Sequence, residues 1–509
     1  MPRYAAIDIG SNSVRMMAAE VGLGGTQILA HERQVTRLGE SVFRSGVVSA
    51  EALDFLSSTL QRMAAAYRKL DVSGVRAVAT SAVRDARNQP EFSKRVSEAL
   101  GTEVDIISGQ EEARLIHLGV EARWPRPGER TLIIDVGGGS AELIVSYGGN
   151  IVDATSRPLG AVRLKQLFLE KDPPSDEDLQ RLDQYIEEKL APFVKRHGET
   201  KFDRVVATSS TAAALVCAVN RISRPEREEA DRVRASTARI RKFFKLLAKE
   251  KLAERRQWIG IGPRRAEIIV GGAAVFLRSL EMFGHHSLYY SAAGVRDGII
   301  ADLAARRVGS ELTGLTREQR RVVEAMTRRY GVAMKHARQV ACLSRRLFES
   351  MQPLHKLPPA AGRLLEAAAY LHDVGHYVSE TGHHKHSAYL VANADLPGFT
   401  HEERNIIAAL CRFHRKSMPQ IRHSHFQTLA PDGKRTVLYL APLLRIADAL
   451  DRSHEQKVSD VAPLLKGNAV VLQVQADEGA DLEMWAASEA ANAFREVYST
   501  PVSVQRVGS

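Results

Sequence analysis

Cysteine is scarce. Cys217, Cys342 and Cys411 are the only three in 509 residues, and their wide spacing and odd number indicate neither a disulfide framework nor a cysteine-built zinc site. A reducing, cytoplasmic setting fits that usage. No apolar run comes near the ~18 residues that cross a bilayer, and the N-terminus enters a strand-like run within a few residues, without the basic-then-apolar order of a leader. No membrane partner is expected. Acidic residues are in deficit, 60 against 71 basic ones, for a net charge of +11, which favours polyanionic partners through long-range attraction. Zinc-finger spacing and an aromatic RNA-binding signature are both missing, so no specific nucleic acid is expected. Length alone allows about three domains of ~150 residues.

What the chain does have is a glycine stretch, Thr131-Leu132-Ile133-Ile134-Asp135-Val136-Gly137-Gly138-Gly139-Ser140-Ala141-Glu142-Leu143-Ile144-Val145. An apolar run ends in an aspartate, three glycines follow, and a second apolar run leaves. Two strands joined by a tight turn are predicted. Glycines without a Cβ let backbone N–H groups approach an anion. Asp135 and Glu142 are the carboxylates that would hold Mg²⁺ (or Mn²⁺) beside phosphate oxygens. Taken alone, a plain glycine hairpin would read the same way.

The pattern occurs twice. Tyr4 to Met17 has the same form around Asp8-Ile9-Gly10-Ser11-Asn12-Ser13, and from Asp8 to Asp135 the offset is 135 − 8 = 127. Val75 to Ala82 resembles Asp203 to Ser210, and from Thr80 to Thr208 the offset is 208 − 80 = 128. Two matched pairs at nearly one spacing argue for a duplicated α/β unit with two phosphate-facing loops per half around a shared cleft. The candidate phosphate binders are therefore Ser11, Asn12 and Ser13, then Gly137, Gly138, Gly139 and Ser140, then Ser209, Ser210 and Thr211.

Between these loops, Ser49 starts a helix whose apolar residues at 53, 56, 60, 63 and 64 form one face. Arg84 follows a strand end, where cleft residues of open α/β sheets are found. It is expected to clamp phosphoryl oxygens, or else to pair with Asp85; Arg87 is a weaker second. Ser108 and Glu111 have capping-box spacing, which leaves Glu112 free. Trp124-Pro125-Arg126-Pro127-Gly128 breaks the chain between the halves.

These residues carry a family resemblance. The duplicated Asp-x-Gly loops resemble the actin, sugar-kinase and heat-shock chaperone superfamily, whose domains are ribonuclease-H-like. Asp8-Ile9-Gly10-Ser11-Asn12-Ser13, Ser108-Gly109-Gln110-Glu111-Glu112-Ala113-Arg114-Leu115 and Asp135-Val136-Gly137-Gly138-Gly139-Ser140 are similar to the exopolyphosphatase/guanosine pentaphosphate phosphohydrolase (Ppx/GppA) family. The resemblance implies Glu112 as general base, Arg84 as the second catalytic residue, and a homodimer. It also implies release of orthophosphate from inorganic polyphosphate or guanosine pentaphosphate. One departure stands out: the family usually has a glycine in the small-residue loop that is Ser209-Ser210-Thr211 here.

Beyond a polar linker at 306–316 the pattern turns helical. His336, then His372-Asp373, then Asp448 resembles the ligand set of HD-type metallophosphohydrolases, which implies a second divalent metal, of a kind suited to nitrogen and oxygen. His383, His384, His386 and His414 are further candidates for another ion. The expected division is 1–127 and 128–305 for the two actin-like halves and 312–509 for an all-α HD-like domain, with a small sheet-like appendage from 469 onward whose role is unassigned. A nucleotide phosphohydrolase at the HD site and a non-enzymatic sensor of polyphosphate or nucleotide are the alternatives.

Overall fold

A computed structural model describes residues 1–22, 24–306 and 313–507. Two compact units are present, Met1–Val308 and Gly309–Ser509. The linker expected at 306–316 lies largely outside the described residues.

The first unit holds two sheets of matching plan. In the first, strands run in the order Gly25–Val35, Ser13–Gly22, Arg3–Ile9, Gly74–Ala79, Val104–Ile106. The second repeats this order with Asn150–Arg157, Ala141–Tyr147, Arg130–Val136, Arg204–Thr208 and Ser287–Tyr290, and adds Arg234–Ser236 at the edge. The three leading strands of each sheet are antiparallel and the next joins in parallel. Asp8 pairs with Arg15 across the first hairpin, and Asp135 with Glu142 across the second. Because 8 + 127 = 135 and 15 + 127 = 142, the duplication has placed a cation in one half where the other carries an acid.

Local signals explain the helices that frame the sheets. Ser49 caps the helix Ala50–Arg68 by accepting from the Ala52 N–H at 3.3 Å, and Leu53, Leu56, Leu60, Met63 and Ala64 are buried. Each large side chain of that stripe contributes about 2 kcal/mol by leaving water, so packing more than propensity fixes the helix. Helix Gly109–Arg123 packs on strand Asn150–Arg157 of the second sheet, while helix Val295–Ala305, late in the chain, packs against strand Arg3–Ile9 of the first. The two helices also pack on each other. Each half thus lends a helix to the other.

The second unit has six main helices, from Arg317–Arg329 to Pro431–Ala449, packed around buried Leu343, Leu347, Leu365, Phe413 and Leu443. The appendage begins earlier than the sequence suggested, at Val458, as strands Val458–Lys466, Ala469–Ala476 and Val502–Val507. A helix, Asp481–Tyr498, which the sequence reading did not foresee, bridges the last two strands. No described helix is long and apolar enough to cross a membrane.

Candidate functional site

The two glycine-type loops are built alike. In the first, the Gly10 N–H donates to the Ser13 carbonyl at 3.1 Å; in the second, the Gly137 N–H donates to the Ser140 carbonyl at 3.0 Å. Their carbonyls are engaged from behind. That of Ser11 accepts from Gly39 N–H and that of Asn12 from Thr36 and Arg37, while Gly137 accepts from Ala161 and Gly138 from Val162 and Arg163. In a trans peptide the C=O and the next N–H point opposite ways. The N–H groups of Asn12, Ser13, Gly138 and Gly139 are therefore turned away from those partners, as anion-binding nests require.

The glycines have a second reason that the sequence did not reveal. A Cβ on Gly138 would lie 3.0 Å from the Ser11 Cβ, and one on Gly139 would lie 2.6 Å from the Phe43 ring and 2.7 Å from the Ser11 Oγ. The loops of the two halves touch each other, so close approach of protein to protein, besides any approach to phosphate, excludes a side chain there.

Between the loops lies a cavity of about 370 Å³. All ten of the expected phosphate binders line it: Ser11, Asn12, Ser13, Gly137, Gly138, Gly139, Ser140, Ser209, Ser210 and Thr211. Asp135 and Glu112 do as well. Ser209 takes a positive φ of 97°, a region that costs a residue with a Cβ on the order of 1–3 kcal/mol. This is the loop where the family resemblance led one to expect glycine. The Ser209 hydroxyl accepts from the N–H groups of Thr211 and Ala212 at 3.1 and 3.2 Å, which caps the helix that follows.

Two expected residues stand elsewhere. Glu142 is not on the cavity wall; it is fully buried beside Asp135, with one carboxylate oxygen accepting from Ser156 Oγ at 2.7 Å and the other without a hydrogen-bond partner. Arg84 is likewise absent from the lining. Its Nη1 donates to the Ile107 carbonyl at 2.7 Å and to Glu112 at 3.3 Å, and Asp85 pairs with Arg163 instead. The guanidinium therefore holds the carboxylate of Glu112, which is itself on the cavity wall. Glu111 does more than cap: the Ser108 hydroxyl accepts from its N–H, but its carboxylate takes Arg76 and Arg114 at 2.9 and 2.7 Å. With Asp302, which accepts from Arg76 at 3.1 Å and Arg114 at 2.8 Å, this makes a buried ion network.

Electrostatically the cavity carries both signs of charge. Asp8, Glu112 and Asp135 lie on its wall, and Glu142 is buried beside them. Burial, and then the neighbouring carboxylates, push Asp135 and Glu142 up to about 7. Burial followed by Glu142 raises Glu112 well above the usual range, and burial raises Asp8. Arg15, Arg33, Arg227, Arg265 and Arg296 line the same wall, Arg15 and Arg296 near enough to Asp8 to favour its charged form. Burial and mutual repulsion lower Arg33 and Arg265 to about 9, which marks a group of cations in want of an anion. The sequence reading missed this cluster and gave Asp8 no role as a ligand. Asp8 was findable as the twin of Asp135, but the arginines come from five separate segments.

The second unit gathers another cluster. His336, His372 and Asp448 offer ligand atoms to one point, Asp373, His383 and His414 to another, and His336, Asp373 and His454 to a third. His383 and His414 are thus in place, whereas His384 and His386 belong to none of these groups. The ring tautomers are set from outside: His372 Nδ1 lies 2.8 Å from the Ala369 carbonyl, His414 Nδ1 2.8 Å from that of Cys411, and His336 Nδ1 2.9 Å from the Asp451 carboxylate. The buried Nε2 atoms of His336 and His372 are left without a hydrogen-bond partner.

Comparison with known proteins gives two family matches: the Ppx/GppA phosphatase family over residues 17–307 and Ppx/GppA phosphatase, domain III, over 317–484. Among solved structures, the Aquifex aeolicus member of the Ppx/GppA family is 27% identical, with a TM-score of 0.54, covering 60% of this chain and 98% of its own. An exopolyphosphatase-like protein is also 27% identical, with a TM-score of 0.58 and coverage of 61% and 99%. An exopolyphosphatase from Cytophaga hutchinsonii, at 24% identity, shares the fold with a TM-score of 0.56 over 59% of this chain and 97% of its own.

Proposed function

Since the chain belongs to the Ppx/GppA phosphatase family, we propose that it is an exopolyphosphatase, cleaving the terminal phosphoanhydride of inorganic polyphosphate and releasing orthophosphate. The observation that carries this is a cavity whose wall brings Asp8, Glu112 and Asp135, with Glu142 buried beside them, together with five arginines around one space. Such a space suits a substrate that brings both a metal-bound terminal phosphate and further phosphates behind it.

The buried carboxylates fit a hard divalent cation, because Glu142 keeps an oxygen with no hydrogen-bond partner and Asp135 lies directly across the ladder from it. Asp135 and Glu142, with Asp8 beside them, would hold Mg²⁺ or Mn²⁺. Such an ion would neutralise charge on the phosphoryl oxygens when bound. The chain itself supplies the rest. N–H groups of the two loops hold the terminal phosphate, and Glu112 accepts the proton of a water whose oxygen bonds to phosphorus as the bridging P–O bond breaks. A carboxylate raised by burial is better matched to that task near neutral pH. Arg84 keeps Glu112 oriented through its guanidinium contact. Arginines of the cavity wall receive the phosphates that stay behind.

Guanosine pentaphosphate presents the same terminal group and is the alternative substrate. Phosphate release from both, measured side by side on wild type and Glu112→Gln, tests the reading. Turnover of the better substrate should fall ~10²-fold or more with the fold intact. Near-normal release by the folded variant would remove Glu112 from the mechanism.

A second reading concerns the C-terminal unit, which we propose to be HD-like and to bind a divalent transition metal through His336, His372, Asp373 and Asp448. Imidazoles anchored at Nδ1 and bare at Nε2, with carboxylates within 3.4–3.8 Å, are the donor set of such sites. His383 and His414 face the other oxygen of Asp373 at 3.4 and 3.8 Å and suit a further ion.

A further inference from the structure

Arg163 occupies the first turn of the helix Ala161–Phe168, next to the glycine loop of the second sheet. Its Nε donates to the Gly139 carbonyl at 2.8 Å. The same guanidinium reaches across to the first half, where its Nη2 donates to Ser81 Oγ at 3.4 Å and to the Asp85 carboxylate, and its Cζ lies 4.0 Å from the centre of the Phe43 ring. One planar fork therefore satisfies a backbone carbonyl of one half and a carboxylate of the other, which a lysine ammonium could not do with the same geometry.

Both ends of that bridge lead to the site. Holding the Gly139 carbonyl from outside turns the N–H of the next residue, Ser140, the opposite way. Ser81 and Asp85 are the two ends of a single five-residue helix, Ser81–Asp85, and the residue between Val83 and Asp85 is Arg84, whose guanidinium grips Glu112 at 3.3 Å. So short a helix is stiffened by little besides its neighbours, and the Asp85 side chain is 44% exposed even with this contact in place. The path from glycine loop to Glu112 is continuous through Arg163, Asp85 and Arg84, and it exists only while the two halves are apposed.

We propose that Arg163 is a positioning residue that couples apposition of the two halves to the alignment of Glu112, acting through Asp85 and the one-turn helix that carries Arg84. The proposal rests on the assignment of Glu112 as base. It makes Arg163 matter for turnover though it is absent from the cavity wall.

The test is a double-mutant cycle on the full-length protein, with phosphate release from polyphosphate as the readout. Arg163→Met keeps the side-chain volume and removes the fork. In the wild-type background it should lower kcat by about tenfold, an interaction of ordinary size for residues in one network, while KM changes by less than about threefold. In the Glu112→Gln background the same substitution should cost nothing further, because the residue being aligned is already gone. Asp85→Asn, at a half-exposed position that the fold tolerates, should repeat the pattern if Arg163→Met folds poorly. An equal loss in both backgrounds would show that Arg163 only supports the fold, and no loss in the wild-type background would show that the bridge is irrelevant; either overturns the proposal. If Glu112→Gln itself turns over like wild type, the assignment of the base falls instead, and the coupling with it.

Discussion

Metal-free protein should become less stable as pH rises, and the cause lies in the carboxylate pair Asp135–Glu142. Their ordinary values are 3.8 and 4.5, and in the folded chain both are raised to about 7 by burial and, next, by neighbouring carboxylates. A carboxyl raised in the folded state contributes stability that is complete below its unfolded value and is lost as pH climbs through the folded one. Because one proton relieves the repulsion within the pair, we count a single group. Between pH 5 and pH 7 the folded chain then holds one more proton than the unfolded chain. At 1.36 kcal/mol per pH unit the loss is about 2.7 kcal/mol. For a unit of ~300 residues, with an unfolding entropy of ~0.6 kcal/mol/K, this lowers Tm by about 4 °C. Scanning calorimetry in EDTA at pH 5 and pH 8 measures it. Adding Mg²⁺ at pH 8 to about 100 times its Kd should restore about 2.7 kcal/mol. Glu142→Gln removes the ionisable group while keeping the Ser156 contact, so its Tm should depend less on pH and respond less to Mg²⁺. If wild type in EDTA shows the same pH dependence as Glu142→Gln, or if Mg²⁺ raises both melting temperatures equally, the carboxylate pair is not the cation site.

Asp302→Ala leaves Arg76, Arg114 and Arg306 sharing fewer carboxylates in the interior. It should cost ~3–5 kcal/mol, and since the network is buried the loss should hardly change with salt; a Tm within 1 °C of wild type would refute this. The arginines of the cavity wall should give affinity for long polyphosphate a steep salt dependence that Arg33→Ala or Arg265→Ala makes shallower, by about one released counterion each; unchanged slopes would mean the chain of phosphates lies elsewhere. Elemental analysis of full-length protein after dialysis should find a transition metal that His372→Ala together with Asp373→Ala removes. Equal metal content in wild type and double variant would reduce the C-terminal cluster to histidine–carboxylate pairing.

Much was legible in the chain because it is written in local or repeated patterns. The offsets of 127 and 128 residues announced the duplication, since each half must repeat strand, loop and strand to build the same sheet. The residues from Ser11 to Ser13, Gly137 to Ser140 and Ser209 to Thr211 followed from their place at strand ends, and all of them line the cavity. Glu112 and the His336, His372, Asp373 and Asp448 group were readable as motifs. Tertiary structure decided what depends on where a side chain points and on which distant segment it meets. Arg84 stands in the expected place but faces Glu112, because the Ile107 carbonyl and that carboxylate lie on its side of the short helix. Glu142 sits beside Asp135 because the two are opposite each other in an antiparallel ladder and share one face of the sheet. Arg15, Arg33, Arg227, Arg265 and Arg296 come from separate segments, and only the folding of two sheets around one cavity brings their charges together. No spacing along the chain encodes that distance, because the contact is made in space by packing of the interior rather than by periodicity along a single element.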